Sequence, residues 1–144
     1  MNSEGIHRAH WSFWLITVIA LLWNIGGAAN YLMQTNLEFV AMLPETHRAI
    51  IEGRPRWTTG GFVIGVFGGA LGCLLLLLKK ANALYIFIAS LLGIIITMIH
   101  TVNVSTSKVE FSLADIFLMI LSPMIVAGFL IWYTRIVINK RWVN

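Results

Sequence analysis

Charge is what this chain has least of. Of its 144 residues only 11% are Asp, Glu, Lys or Arg, 58% are hydrophobic, and the mean hydropathy is +0.83. Soluble domains carry about 25% charged residues and about 45–50% apolar ones, so a soluble globular domain and a disordered chain are both excluded. Cysteine is nearly absent as well. Cys73 stands alone inside an apolar run and has no intrachain disulfide partner. There is no HExxH, no GxSxG, no glycine-rich phosphate loop and no paired-cysteine motif, so no reaction is specified, and neither a cofactor nor a metal ion is expected. No acid or base lies near the middle of an apolar run, where ion-coupled carriers usually keep one. The formal net charge of +4 does not mark a nucleic-acid partner, because the basic residues sit at segment ends and form no stripe.

What is there is four long apolar runs. A bilayer-spanning helix needs about 20 such residues, and the runs lie at about 11–33, 58–78, 81–102 and 113–133. The expected fold is therefore one all-α domain over residues 1–144, a four-helix transmembrane bundle. His7 and Arg8 ahead of the first run, with Gly27 and Ala29 in a small-x-small arrangement, have the outline of a cleaved signal peptide. The apolar stretch continues past Ala29 into Tyr31–Met33, which favours a retained span.

The short loops set the orientation. Arg8, Lys79, Lys80, Arg135, Lys140 and Arg141 fall on one side; Arg48, Arg54, Arg56 and Lys108 fall on the other, with every acidic residue except Glu4. The Lys/Arg excess places both termini in the cytoplasm. Trp11, Trp14, Tyr85, Trp132 and Tyr133 then belong near the cytoplasmic interface, and Tyr31 and Trp57 near the outer one. The one sizeable loop, residues 34–56, carries apolar clusters on either side of Pro44. It reads as one or two short amphipathic helices over the outer, periplasmic face, with Pro44 at the start of the second.

Glycine gives the sharpest pattern. Gly61, Gly65 and Gly69 recur every four residues with Cys73 continuing the row, and Gly68 and Gly72 form a parallel one. Residues four apart share a helix face, and a side-chain-free row admits another helix closely, where lipid supplies no hydrophobic drive for association. That helix belongs either to the same chain or to another protein. In the first run, Asn24 near mid-bilayer must find a hydrogen-bond partner. Asn24, Gly27, Ala28 and Tyr31 share a face expected to pack on protein. His100 and Asp115 fall at the outer interface. Ser112 and Asp115 have capping-box spacing. Were His100 and Asp115 to meet near Asn30, they would form a small polar pocket. Pro123 interrupts the fourth run and is expected to kink it as a hinge or a fixed bend.

Several stretches resemble a group of small bacterial four-span inner-membrane proteins often labelled sugar transporters. They are Leu22-Trp23-Asn24-Ile25-Gly26, Leu43-Pro44-Glu45, Pro55-Arg56-Trp57-Thr58-Thr59-Gly60, Val66-Phe67-Gly68-Gly69-Ala70-Leu71-Gly72 and Ser90-Leu91-Leu92-Gly93. The resemblance covers about Trp14 to His100. It implies the four-span layout and a bacterial inner membrane, and it brings no catalytic residue. Two functions are compatible with these features. The first is an interaction component acting through helix association, as a homo-oligomer or an accessory subunit of a membrane complex. The alternative is an oligomeric transporter or channel for a small solute, sugars included, lined by Asn24, Asn30, His100 and Asp115. The expected partners are the lipid bilayer and either a second copy or another membrane protein.

Overall fold

The computed structural model describes residues 8–144; Glu4 and His7 lie outside the described residues. Among the described residues there are seven α-helical segments and one π-helical turn: α1 (Trp11–Met33), α2 (Leu37–Ala41), α3 (Glu45–Glu52), α4 (Arg56–Leu77), α5 (Ala83–Ser107), α6 (Leu113–Ile116), a π-turn (Phe117–Leu121) and α7 (Ser122–Asn139). The last three run on as one fourth span, Leu113–Asn139, and four helices in all are long and apolar enough to cross a membrane.

Local chemistry sets the ends. His10 Nδ1 accepts the Ser12 backbone N–H at the start of α1, and Asn36 Oδ1 accepts those of Glu38 and Phe39 at the start of α2. Pro44 stands just before α3 as its N-cap. Span α5 runs five residues beyond its apolar run because Ser105, Thr106 and Ser107 return their hydroxyls to the Val102 and Asn103 carbonyls. Such back-bonding satisfies polar side chains without leaving the helix. In the fourth span Pro123 offers no N–H to the Met119 carbonyl. The turn before it is widened: the Ser122 N–H bonds to the Phe117 carbonyl, and the Ser122 hydroxyl donates to the Leu118 carbonyl at 2.8 Å. A π-bulge of this kind is one of the identified sources of helix bending.

Around the bundle the order is α1, α4, α5, fourth span. Span α4 packs along α1 and most extensively along α5, and α5 packs on the fourth span. The glycines explain the α4 contacts. A methyl on Gly61 would fall 2.7 Å from Ile96 Cγ2, and one on Gly65 3.0 Å from Ile94 Cγ1. One on Gly68 would lie 3.3 Å from Ser90 Cβ, and one on Gly72 2.6 Å from the Phe87 ring. Gly69 faces the other way, against Asn24 of α1. The whole glycine pattern is occupied within this chain, four positions against α5 and one against α1. Gly93 of α5 is the counterpart, since a methyl there would run into the Gly61 carbonyl. Such backbone proximity lets the Ser90 hydroxyl donate to the Gly65 carbonyl across the seam at 2.5 Å.

The end that carries the C-terminus is the closed end. Phe13, Leu76, Phe87, Leu130 and Val137 are buried there in one cluster. The C-terminal residue is tied to the α4–α5 turn by two backbone bonds, Asn144 N–H to the Lys79 carbonyl at 2.8 Å and Ala81 N–H to the Asn144 carbonyl at 2.6 Å. Tyr133 belongs to this cluster, stacked on Phe129 with centroids 5.8 Å apart, and only 7% of it is exposed. It is a core residue, unlike Trp11, Trp14, Tyr85 and Trp132, whose rings are exposed. The opposite end is capped by α2 and α3, with Val40 and Ile50 buried and α3 seated on α5.

Candidate functional site

Toward the capped end the four spans do not close. A cavity of about 610 Å³ lies between them, within the range of about 300–1,000 Å³ typical of ligand sites. It runs along the bundle axis: its α1 wall extends from Leu22 to Gln34, about 18 Å by helical rise. Leu22, Trp23 and Gly26 of α1 and Leu118 of the fourth span line it and are also exposed, so its mouth opens sideways between these two helices. This is the side of the bundle where the α1–fourth span interface is sparse. The Pro123 segment shapes the same wall, since Leu118, Met119, Pro123, Val126, Ala127 and Leu130 all face the cavity.

The deep part of the wall is chemically quiet. The Thr97 and Thr101 hydroxyls donate to the carbonyls one turn back, and Ser90 donates to Gly65. The Asn24 amide donates to the Ala20 carbonyl at 2.8 Å and lies 3.9 Å from Cys73 Sγ. With their donors spent on backbone, these side chains present acceptor lone pairs and apolar surface.

Polarity returns at the capped end, where Asn30, Gln34, His47 and Arg54 line the cavity. Arg54 closes that end. One of its Nη2 hydrogens donates to Gln34 Oε1 at 2.8 Å, and its guanidinium lies 4.9 Å over the Phe62 ring. Its Nε–H is enclosed without an acceptor, and no carboxylate among the described residues pairs with it. Burial draws the Arg54 pKa below its ordinary value, partly offset by Tyr31. Beyond Arg54 lies a vestibule of about 180 Å³ lined by Tyr31, Gln34, Thr35, Ile51, Arg54 and Thr59. Gln34, Ile51 and Arg54 are common to both walls and separate the two spaces.

Of the polar residues read from sequence, Asn24 and Asn30 line the cavity, while His100 and Asp115 have partners elsewhere. The buried His100 donates from Nε2 to the Ile50 carbonyl at 3.1 Å and so fastens α3 to α5. Asp115 completes the capping box with Ser112: its backbone N–H donates to Ser112 Oγ at 3.2 Å, and the Ser112 N–H donates to Asp115 Oδ2 at 3.1 Å. Among the described residues no three His, Cys, Asp or Glu side chains converge as metal ligands. The residue that sequence reasoning passed over is Arg54, counted there only as a loop charge. Its one sequence signal is position, just before Pro55 at the start of a span.

The chain matches no protein-family model, no curated protein and no solved structure. It is a multi-pass membrane protein by its four apolar helices.

Proposed function

We propose that this protein is a small bacterial inner-membrane protein that takes up an amphipathic molecule from the bilayer and holds it in the cavity between its four spans, as a carrier or binding component. The termini lie in the cytoplasm and the α2–α3 cap faces the periplasm, following the Lys79-Lys80 turn. The observation that carries the reading is the sideways mouth between Leu22, Trp23 and Gly26 on one helix and Leu118 on the other. A ligand entering there comes from lipid, with its apolar part facing the quiet wall and its polar part at the cap.

Gly26 provides the test. A β-carbon there meets nothing of the protein within 4 Å, so Gly26→Trp sets a large side chain at the mouth from an uncrowded backbone position. Extraction of the purified wild type followed by lipid mass spectrometry is expected to yield a co-purifying amphiphile, reduced several-fold in Gly26→Trp. Gly60→Trp, equally free of neighbours within 4 Å but away from the cavity, serves as the control. Equal yield from all three proteins would sink the reading.

The association reading keeps one specific support. The fourth span is the least enclosed of the four, and Leu118, Leu121, Ile125 and Trp132 on it are exposed. A second copy or a partner subunit would cover that face. Light scattering in mild detergent distinguishes it, a monomer counting against it.

A further inference from the structure

The cavity and the vestibule differ in character and meet at one side chain. The larger space is walled mainly by apolar groups; the smaller has the hydroxyls of Tyr31, Thr35 and Thr59 on its lining residues. Between them stands a cation with no counter-charge among the described residues. An unpaired guanidinium that burial has partly stripped of water is costly to keep. It also has donors to spare, since only one of its five N–H groups has an acceptor.

We infer that the occupant is a phospholipid, its acyl chain in the 610 Å³ cavity and its phosphate at Arg54, where the 180 Å³ vestibule receives the head. This rests on the cavity reading above and adds the chemical class of the ligand. A phosphate oxygen is the acceptor that guanidinium geometry suits best, because two parallel N–H···O bonds form at once. The anion supplies the charge that no carboxylate among the described residues supplies, and Gln34, already bonded to Nη2, holds the guanidinium across the junction. The Phe62 ring, 4.9 Å from the guanidinium, steadies it by a cation–π contact. A lipid would place its tail and its head in the two spaces that meet at Arg54. A free phosphate would leave the large apolar space unused.

The probes are short-chain phosphatidic acid, the matching diacylglycerol, which lacks the phosphate, and inorganic phosphate. Each is titrated into the detergent-solubilised full chain and followed by native mass spectrometry and thermal shift. Phosphatidic acid is expected to bind wild type about tenfold or more tightly than diacylglycerol, from one charge-assisted hydrogen-bonded contact. Arg54→Gln is expected to abolish that preference, and Arg54→Lys, which keeps the charge but loses the fork, to retain part of it. A thermal melt of the ligand-free variants checks that they are folded. Equal binding of both lipids to wild type, or phosphatidic acid binding indifferent to Arg54→Gln, overturns the phosphate assignment and leaves the cavity reading standing. Inorganic phosphate binding as tightly as the lipid shows a free-anion site and overturns the lipid assignment. Failure of both lipids to bind overturns both readings.

Discussion

The carboxamide of Asn24 occupies the space where a β-carbon of residue 69 would stand. One glycine of the α4 pattern thus makes room for a polar side chain of α1, and the other four make room for α5. Asn24 needs this berth because an amide in the bilayer core cannot turn to water. Its amide hydrogens go to the Ala20 carbonyl and toward Cys73 Sγ. Gly69→Ala is expected to push the amide out of place and destabilise the bundle by about 1–3 kcal/mol, the usual cost of overpacking. Adding Asn24→Ala should recover much of that loss, since the two sites share one volume and their effects cannot add. A thermal melt of the four proteins in a double-mutant cycle measures the coupling, and independent, additive losses would show that the two residues do not touch.

The α4–α5 seam predicts a harsher result. Gly65→Leu places a branched side chain where even a methyl lies 3.0 Å from Ile94 Cγ1, beside a backbone crossing that Gly93 holds on the other helix. The variant is expected to lose its single symmetric peak in detergent chromatography, whereas Gly128→Leu, where nothing stands within 4 Å of an added carbon, keeps it. An undisturbed Gly65→Leu profile would contradict the packing.

How far the sequence alone reaches can be judged residue by residue. Run length and hydropathy located the four spans within a few residues, because bilayer thickness leaves little choice. The longer ends of α5 and the fourth span escaped hydropathy, since Ser105, Thr106 and Ser107 are polar yet satisfied by their own helix. The glycine row was visible as a row, but its direction depended on Ser90 and Gly93, small residues on a different helix. The capping box of Ser112 and Asp115 was legible from spacing, whereas whether His100 and Asp115 meet stays open in the sequence, because shared membrane depth does not decide it. Depth is not azimuth, and each found a nearer partner. Arg54 was illegible for a plainer reason: its neighbour Gln34 is twenty residues away in sequence, and nothing in a loop's composition tells which way the chain returns.

His100 ties the cap to the bundle through the Ile50 carbonyl. His100→Phe keeps the bulk and removes the bond, leaving a buried carbonyl without its donor. A loss of about 1–3 kcal/mol local to α3 is expected. Hydrogen exchange should accelerate over residues 45–52 and leave α4 unchanged. Equal acceleration everywhere would mean that His100 supports the whole bundle and not the cap in particular.

The topology rests on which groups share an end. Asn144 bonds to the Lys79 carbonyl and to the Ala81 N–H, so the C-terminus and the α4–α5 turn lie on one side of the membrane. Thr35 lies at the other end, between α1 and α2. Cysteines are introduced singly at Lys80, Asn144 and Thr35 in a chain whose buried Cys73 is replaced by Ala. A membrane-impermeant maleimide applied to intact cells should then label Thr35→Cys and leave Lys80→Cys and Asn144→Cys unlabelled until the membrane is opened. Labelling of the Lys80 and Asn144 sites from outside would invert the orientation and turn the Arg54 vestibule toward the cytoplasm. Labelling of Lys80→Cys and Asn144→Cys from opposite sides would break the fold itself, because the two backbone bonds joining them cannot cross a bilayer.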